Sequence, residues 1–106
     1  MLADDLVTDV YRVTRAFPAD ERFGLTSQVR RAAVSVACNL VEGASRSSPR
    51  DYQRFVVVAL GSANEARYLL GLAQRLALLS ETESSPLVER YGHVVRALWG
   101  LATALS

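Results

Sequence analysis

The sequence predicts an all-α protein, an antiparallel up-down-up-down four-helix bundle, and three observations support this fold class. Polar breaks at residues 18–24, 43–48 and 80–85 divide the chain into four segments. In each segment apolar residues recur at spacings of three and four, as they do on one face of a helix. The 106 residues fit a single domain, 1–106, and short connections between four such helices favour an antiparallel bundle.

The first two helices are predicted over about 3–17 and about 27–42. Pro18 cannot continue the first helix and should end it. Thr26 offers an N-cap for the second, and Gly43 lies just past its predicted end, where a left-handed residue is common. The apolar stripes are Leu6, Val10, Val13 and Phe17 in the first helix, and Val29, Ala32, Val36 and Leu40 in the second.

The last two helices are predicted over about 49–79 and about 86–105. Each begins with the pair Ser-Pro, at 48–49 and at 85–86, which combines an N-cap serine with a proline in the first helical position. The apolar stripe of the fourth helix is Leu87, Tyr91, Val94, Leu98, Leu101 and Leu105.

The fourth helix carries a second apolar stripe, which a monomeric bundle does not need. Its members are Val88, Val95, Trp99 and Ala102. A helix that is apolar on more than one face needs a second surface to cover it, so we expect a homo-oligomer with these residues at the subunit interface. Scattered exposed aliphatic residues are the ordinary alternative.

A polar stripe runs along the second helix beside its apolar one. We expect residues of the third helix opposite it, so that an Arg31–Glu65 ion pair and a pair between Glu42 and Arg50 or Arg54 become geometrically feasible. Three interpretations stay open: a hydrogen-bonded structural seam, which we favour, a surface for a ligand or nucleic acid, and a solvated face. The residues concerned are Gln28, Arg31, Ser35, Asn39 and Glu42, with Ser62 and Glu65 opposite.

The charge balance excludes a strongly basic nucleic-acid domain. Twelve arginines, with no lysine, oppose eleven carboxylates, for a net charge of +1. Arg46, Arg50 and Arg54 cluster where the second and third helices meet, and this corner could attract phosphates without reading sequence. The alternative is a solvated corner neutralised by Glu42 and Asp51.

The sequence carries no pattern typical of an enzyme, a metal site or a cofactor site. The single cysteine, Cys38, has the setting of a small core residue, and the single histidine, His93, has only Glu89 at helical spacing. Trp99 and Tyr91 fit core or interface anchors better than stacking platforms. No uncharged run exceeds ten residues and the N-terminus has no basic region, so we expect a cytoplasmic protein without a membrane span.

Two stretches resemble the signatures of the bacterial four helix bundle protein family, also called the rRNA intervening-sequence protein family. The first is residues 25–43, LTSQVRRAAVSVACNLVEG, and the second is Phe55 with residues 59–65, ALGSANE. The resemblance covers about residues 6–79. It implies an antiparallel four-helix bundle that assembles as a homopentamer and has no established enzymatic activity.

A related branch of that family is the accessory variability determinant of diversity-generating retroelements, a basic pentamer that works with a reverse transcriptase and nucleic acid. This chain is less basic than that branch. We therefore expect a non-enzymatic homo-oligomeric scaffold with weak, sequence-independent binding of RNA or DNA. The alternative is a protein-binding accessory subunit of a reverse transcriptase. By resemblance, the matching positions are structural: Gln28, Arg31, Ser35, Asn39, Glu42, Gly43, Gly61, Ser62 and Glu65.

Overall fold

The computed structural model describes residues 1–106 and contains four α-helices and no strand. The helices are α1 (Leu2–Thr14), α2 (Leu25–Ala44), α3 (Pro49–Arg75) and α4 (Glu81–Leu105), with a 3₁₀ turn at Ala19–Glu21. The prediction of an all-α fold is confirmed.

The four helices form a closed bundle in chain order. Each helix packs against the next, and α4 packs against α1, whereas the diagonal pairs α1/α3 and α2/α4 make no close backbone approach. The connections between helices hold four to ten residues, and connections this short favour antiparallel neighbours. The molecule is accordingly elongated, with extents of 43 × 22 × 18 Å.

The core consists of the apolar stripes that the sequence indicates, one from each helix, because residues spaced by three and four face the same side. Polar groups tie the helices together at its margins: Arg90 Nη1 donates to Asp9 Oδ2 at 2.6 Å, and Arg30 Nε donates to Thr14 Oγ1 at 2.8 Å. Among the buried core residues are Leu6, Val10, Val13, Phe17, Val29, Ala32, Val36, Val56, Ala59, Ala63, Leu70, Leu87, Tyr91, Val94 and Leu98.

The start of α2 differs from the prediction. The helix begins at Leu25, and its cap position is Gly24, which has no side chain to offer. Glu21 of the 3₁₀ turn supplies the missing acceptor instead, since its Oε1 receives the Leu25 N–H at 3.1 Å. Thr26 is therefore not an N-cap: it lies inside the first turn, buried, and its hydroxyl has no hydrogen-bond partner.

Gly43 also has a different role from the one predicted. It lies inside α2, and no glycine in the chain has a positive φ. A Cβ at Gly43 would lie 2.7 Å from Phe55 Cβ and 3.0 Å from Tyr52 Cδ1. The absence of a side chain here lets the end of α2 approach the start of α3.

The start of α3 confirms the prediction, because the Ser48 hydroxyl accepts the Asp51 N–H at 3.1 Å and Pro49 occupies the first helical position. The helix ends at Arg75, four residues earlier than predicted. Ala77, with φ of 61°, turns the chain out of the helix. The Leu78 N–H bonds the Ala73 carbonyl at 2.9 Å, as in the Schellman motif that commonly ends helices.

The start of α4 lies five residues before the predicted one. Ser80 is the N-cap of α4, since its Oγ accepts the Glu83 N–H and donates to the Glu83 carboxylate, both at 3.1 Å. Residues 81–85 are therefore the first turn of the helix and not a loop, and Pro86 lies within the helix.

By length and composition alone, α3 is apolar enough to cross a membrane. The helix that packs between two neighbours in a bundle passes the same test, and α3 contacts both α2 and α4. In the bundle, 33% of the most apolar stretch of α3 is buried.

Candidate functional site

A polar seam, which we define as Ser35, Asn39 and Ser62, joins α2 to α3. The hydroxyls of Ser35 and Ser62 lie 2.8 Å apart across the two helices. Asn39 Nδ2 donates to the Ser35 carbonyl at 2.8 Å and to the Ser35 hydroxyl at 3.1 Å. Small hydroxyl side chains allow two helices to approach while each polar atom keeps a partner, so the geometry of the seam is that of a structural contact.

A cavity of about 380 Å³ opens beside the seam. Arg31 and Glu65 face this cavity from opposite helices, but no oxygen of Glu65 lies within 4.0 Å of an Arg31 nitrogen, so the expected ion pair is not formed. The lining residues are Gln28, Arg31, Ala32, Ser35, Ser62 and Glu65. The structure therefore brings together the residues that the sequence placed opposite one another.

The arginine corner between α2 and α3 is largely neutralised. Glu42 pairs with Arg46 at 3.2 Å rather than with Arg50 or Arg54, because it lies one turn before Arg46 at the end of α2. Arg54 lies 3.7 Å from its neighbour Asp51. Only Arg50 has no carboxylate partner at this corner.

The Arg46 guanidinium also lies over the Phe55 ring, 4.6 Å from its centroid. A guanidinium held by both a carboxylate and an aromatic face has less of its charge available for phosphate. The corner is thus a weaker anion site than the sequence indicated.

A second basic surface, which we call the basic groove, lies between the C-terminal half of α3 and the N-terminal half of α4. Its volume is about 600 Å³. Three arginines, one histidine and one glutamate supply its charged and titratable side chains. The lining residues are Arg67, Gly71, Gln74, Arg75, Ser85, Val88, Glu89, Gly92, His93 and Arg96.

The three arginines of the basic groove have no ion-pair partners. Arg12, Arg46, Arg54 and Arg90 each lie within 4.0 Å of a carboxylate, but Arg67, Arg75 and Arg96 do not. Glu89, the one acid in the groove, makes no ion pair. The groove therefore concentrates uncompensated positive charge.

Sequence reasoning missed the basic groove because its arginines are far apart in the chain. The signal that could have found it is the helix pairing across the connection at residues 76–80. Ser84 Oγ donates to the Leu70 carbonyl at 3.3 Å and Gln53 Nε2 donates to the Ala102 carbonyl at 2.9 Å. This register brings Arg67 level with residues near 88 of α4, and its long side chain reaches Gly92, one turn further along, where it meets the Arg96 side chain.

The predicted interface residues of α4 divide into two groups. Trp99 is 66% exposed, and Val88 and Val95 are partly buried along the edge that faces α3. Ala102 is only 7% exposed and packs in the core of the bundle, so it offers no outer surface. On α3, Val57 is 52% exposed, and the same helix register places it beside Trp99.

The groups that enzymes use for chemistry are dispersed. Cys38 is exposed rather than a core residue, because it lies on the outer side of α2, while His93 lies in the basic groove. No three of His, Cys, Asp and Glu come together in a way that could hold a metal ion. Burial raises the pKa of Tyr91 far above its ordinary value, although the nearby Arg90 opposes this, and its hydroxyl has no hydrogen-bond partner.

Residues 1–100 match the sequence profile of the 23S rRNA-intervening sequence protein family, and the chain belongs to this family. Among solved structures, it is similar to a protein of unknown function from the S23 ribosomal protein family of Bacteroides thetaiotaomicron, determined at 1.70 Å resolution. The TM-score is 0.81 with 18% sequence identity, covering 96% of this chain and 98% of that one, so the likeness concerns the fold. No curated protein matches the sequence.

Proposed function

We propose that this member of the 23S rRNA-intervening sequence protein family is a non-enzymatic, homo-oligomeric scaffold that holds nucleic acid weakly and without reading its sequence. The observation that carries the proposal is the apolar edge between α3 and α4, defined by Val57, Val95 and Trp99. Five chains is the ring size that the family resemblance implies.

The apolar edge supports self-association because its largest side chain is left in water. Trp99 is 66% exposed in the single chain. Covering a large aromatic side chain contributes about 2 kcal/mol from removed apolar surface alone. Val57 lies at the level of Trp99 in the register of α3 against α4, and Val95 lies one turn before Trp99 on α4, so one partner surface can cover all three.

The nucleic-acid part of the proposal rests on uncompensated guanidiniums in a chain of net charge +1. Arginine recognises phosphate oxygens with paired N–H donors, and contacts of this kind position a nucleic acid without distinguishing bases. A net charge near zero adds little long-range attraction, so we expect weak binding that salt removes. Repetition around an oligomer would multiply these contacts.

The non-enzymatic part rests on the separation of the reactive side chains. A nucleophile needs a base within hydrogen-bond reach, and Cys38 shares its surface depression with Asp4 and Glu42 but with no histidine. His93 has three arginines around it, and it makes no hydrogen bond to Ser85, the one hydroxyl side chain in the groove.

The test of self-association is sedimentation velocity of the wild-type chain and of Trp99→Ser and Val57→Ser. The matched control is Val41→Ser, which removes a valine from α2 that is somewhat more exposed, 64% against 52% for Val57. We expect an oligomer for the wild type and the control, and smaller species for the other two variants. An oligomer that survives both variants on the apolar edge contradicts the proposed interface, and a wild-type monomer contradicts the scaffold itself.

A further inference from the structure

We propose that the basic groove binds the phosphate backbone of single-stranded nucleic acid, with Arg67, Arg75 and Arg96 as the phosphate contacts. This inference rests on the proposed function and names the site at which it operates. The arginine corner, the candidate nucleic-acid site that the sequence offered, is then not the main contact.

Two guanidiniums of the basic groove, those of Arg67 and Arg96, converge above Gly92. A Cβ added to Gly92 would lie 3.5 Å from Arg96 Nη1, 3.6 Å from Arg67 Cζ and 3.7 Å from Arg67 Nη2. On the α3 side of the groove, Arg75 Nη1 would lie 3.7 Å from a Cβ added to Gly71. These distances are those of ordinary van der Waals contact, so the arginine side chains lie over the helix surface at both glycines.

The charges that line the basic groove favour an anion. Three arginines face a single acid, Glu89, which makes no ion pair with any of them, so the repulsion between Arg67 and Arg96 is not relieved by a direct carboxylate contact. An anion in the groove would remove this repulsion and gain charge-assisted hydrogen bonds from several donors at once. His93 and Gln74 add further ring and amide nitrogens to the lining.

The spacing of the arginines along α3 fits a nucleic-acid strand better than a single phosphate. Arg67 and Arg75 are eight positions apart on α3, or about 12 Å at the helical rise, and this length matches several successive phosphates of one strand. Tyr68 lies beside this row, 60% exposed, with the Arg75 guanidinium 5.6 Å from its ring centroid. An exposed aromatic ring next to a phosphate-binding row is how proteins stack unpaired bases.

The experiment measures fluorescence anisotropy of a labelled single-stranded RNA with two triple variants, Arg67→Gln/Arg75→Gln/Arg96→Gln and Arg46→Gln/Arg50→Gln/Arg54→Gln. Each triple lowers the net charge from +1 to −2, so a difference between them reports the position of the charges and not their sum. Circular dichroism and oligomer mass confirm that each variant folds and assembles as the wild type does.

We expect the groove triple to bind the RNA about tenfold more weakly than the wild type does. The slope of its plot of log affinity against log salt concentration should be shallower by about 2, because each of the three lost phosphate contacts contributes about 0.7 to that slope. The corner triple should change affinity by less than about threefold. Tyr68→Leu should weaken RNA binding without changing the salt slope, because stacking displaces no counterions. Pyrophosphate at equal phosphate concentration should compete poorly.

Several results would overturn the inference. An equal loss of RNA affinity in both triple variants would mean that binding responds to overall charge. A loss in the corner triple alone would place the contact at the arginine corner. Both results leave the proposed function intact. Strong competition by pyrophosphate would make the groove a site for a small anion. If the wild-type oligomer binds no RNA even at low salt, the nucleic-acid part of the proposed function fails together with the groove.

Discussion

The close approach of α2 and α3 at Gly43 makes a quantitative prediction about two glycine-to-alanine variants. A Cβ at Gly43 would meet Phe55 Cβ at 2.7 Å, whereas one at Gly61, in the middle of α3, would meet nothing within 4 Å. Both substitutions favour the helix, by at most about 1 kcal/mol, since glycine is the weaker helix former. Only Gly43→Ala also forces the two helices apart, and overpacking of this kind costs about 1–3 kcal/mol.

The assay is urea unfolding followed by circular dichroism, at two protein concentrations so that any contribution from assembly is separated. We expect Gly61→Ala to raise the free energy of unfolding by up to about 1 kcal/mol and Gly43→Ala to leave it unchanged or lower it by about 2 kcal/mol. Equal stabilisation by the two variants would refute the argument that Gly43 is required for close packing.

Three further predictions concern local features. Ala77→Gly should raise the free energy of unfolding by about 1 kcal/mol in urea denaturation, since alanine at φ of 61° is strained; no gain would contradict the Schellman geometry. Ser80→Ala should lower the thermal midpoint, because it removes a capping hydrogen bond that contributes about 1 kcal/mol of stability. The midpoint should fall further than it does in Ser85→Ala. Tyr91→Phe should be neutral or stabilising near pH 7, because the lost hydroxyl is buried without a partner. Because burial raises the pKa of Tyr91, the free energy of unfolding of the wild type should fall by about 1.4 kcal/mol for each pH unit above 10.0, the ordinary pKa of tyrosine. The Tyr91→Phe variant should not show this fall, and parallel pH profiles of the two proteins would contradict the prediction.

The sign of the Tyr91 effect follows from proton counting. Above pH 10 the unfolded chain releases the phenolic proton, while the buried hydroxyl of the folded chain keeps it. The unfolded state then binds fewer protons than the folded state, so stability falls as pH rises.

The fold was predictable from the sequence because periodicity is a property of each helix alone. The stripe Leu6, Val10, Val13 is buried as expected, and the Ser48 cap forms as expected. The beginning of α4 was not predicted, because two start signals compete there. The Ser80 cap prevails over Ser85–Pro86, since its hydroxyl satisfies the Glu83 N–H and also binds the Glu83 carboxylate.

The functional surfaces were harder to predict because they depend on pairs of helices. The sequence placed the arginines nearest in the chain, Arg46, Arg50 and Arg54, in one site, but acids one turn away neutralise two of them. Arg67 and Arg96 are far apart in the chain and meet only through the register of α3 against α4. Ala102 was misplaced because it lies three positions after Trp99, and the offset of about 60° around the helix turns Ala102 into the core while Trp99 stays exposed.

The most direct test of the scaffold is the light-scattering mass of the wild-type chain on a size-exclusion column, with and without a short RNA at low and moderate salt. We expect a mass near five chains that rises with RNA at low salt and loses this increase at moderate salt. Five chains with no shift would favour a scaffold whose partner is a protein, such as the reverse transcriptase of the related retroelement branch. A monomer at every concentration would contradict the assembly on which the account depends.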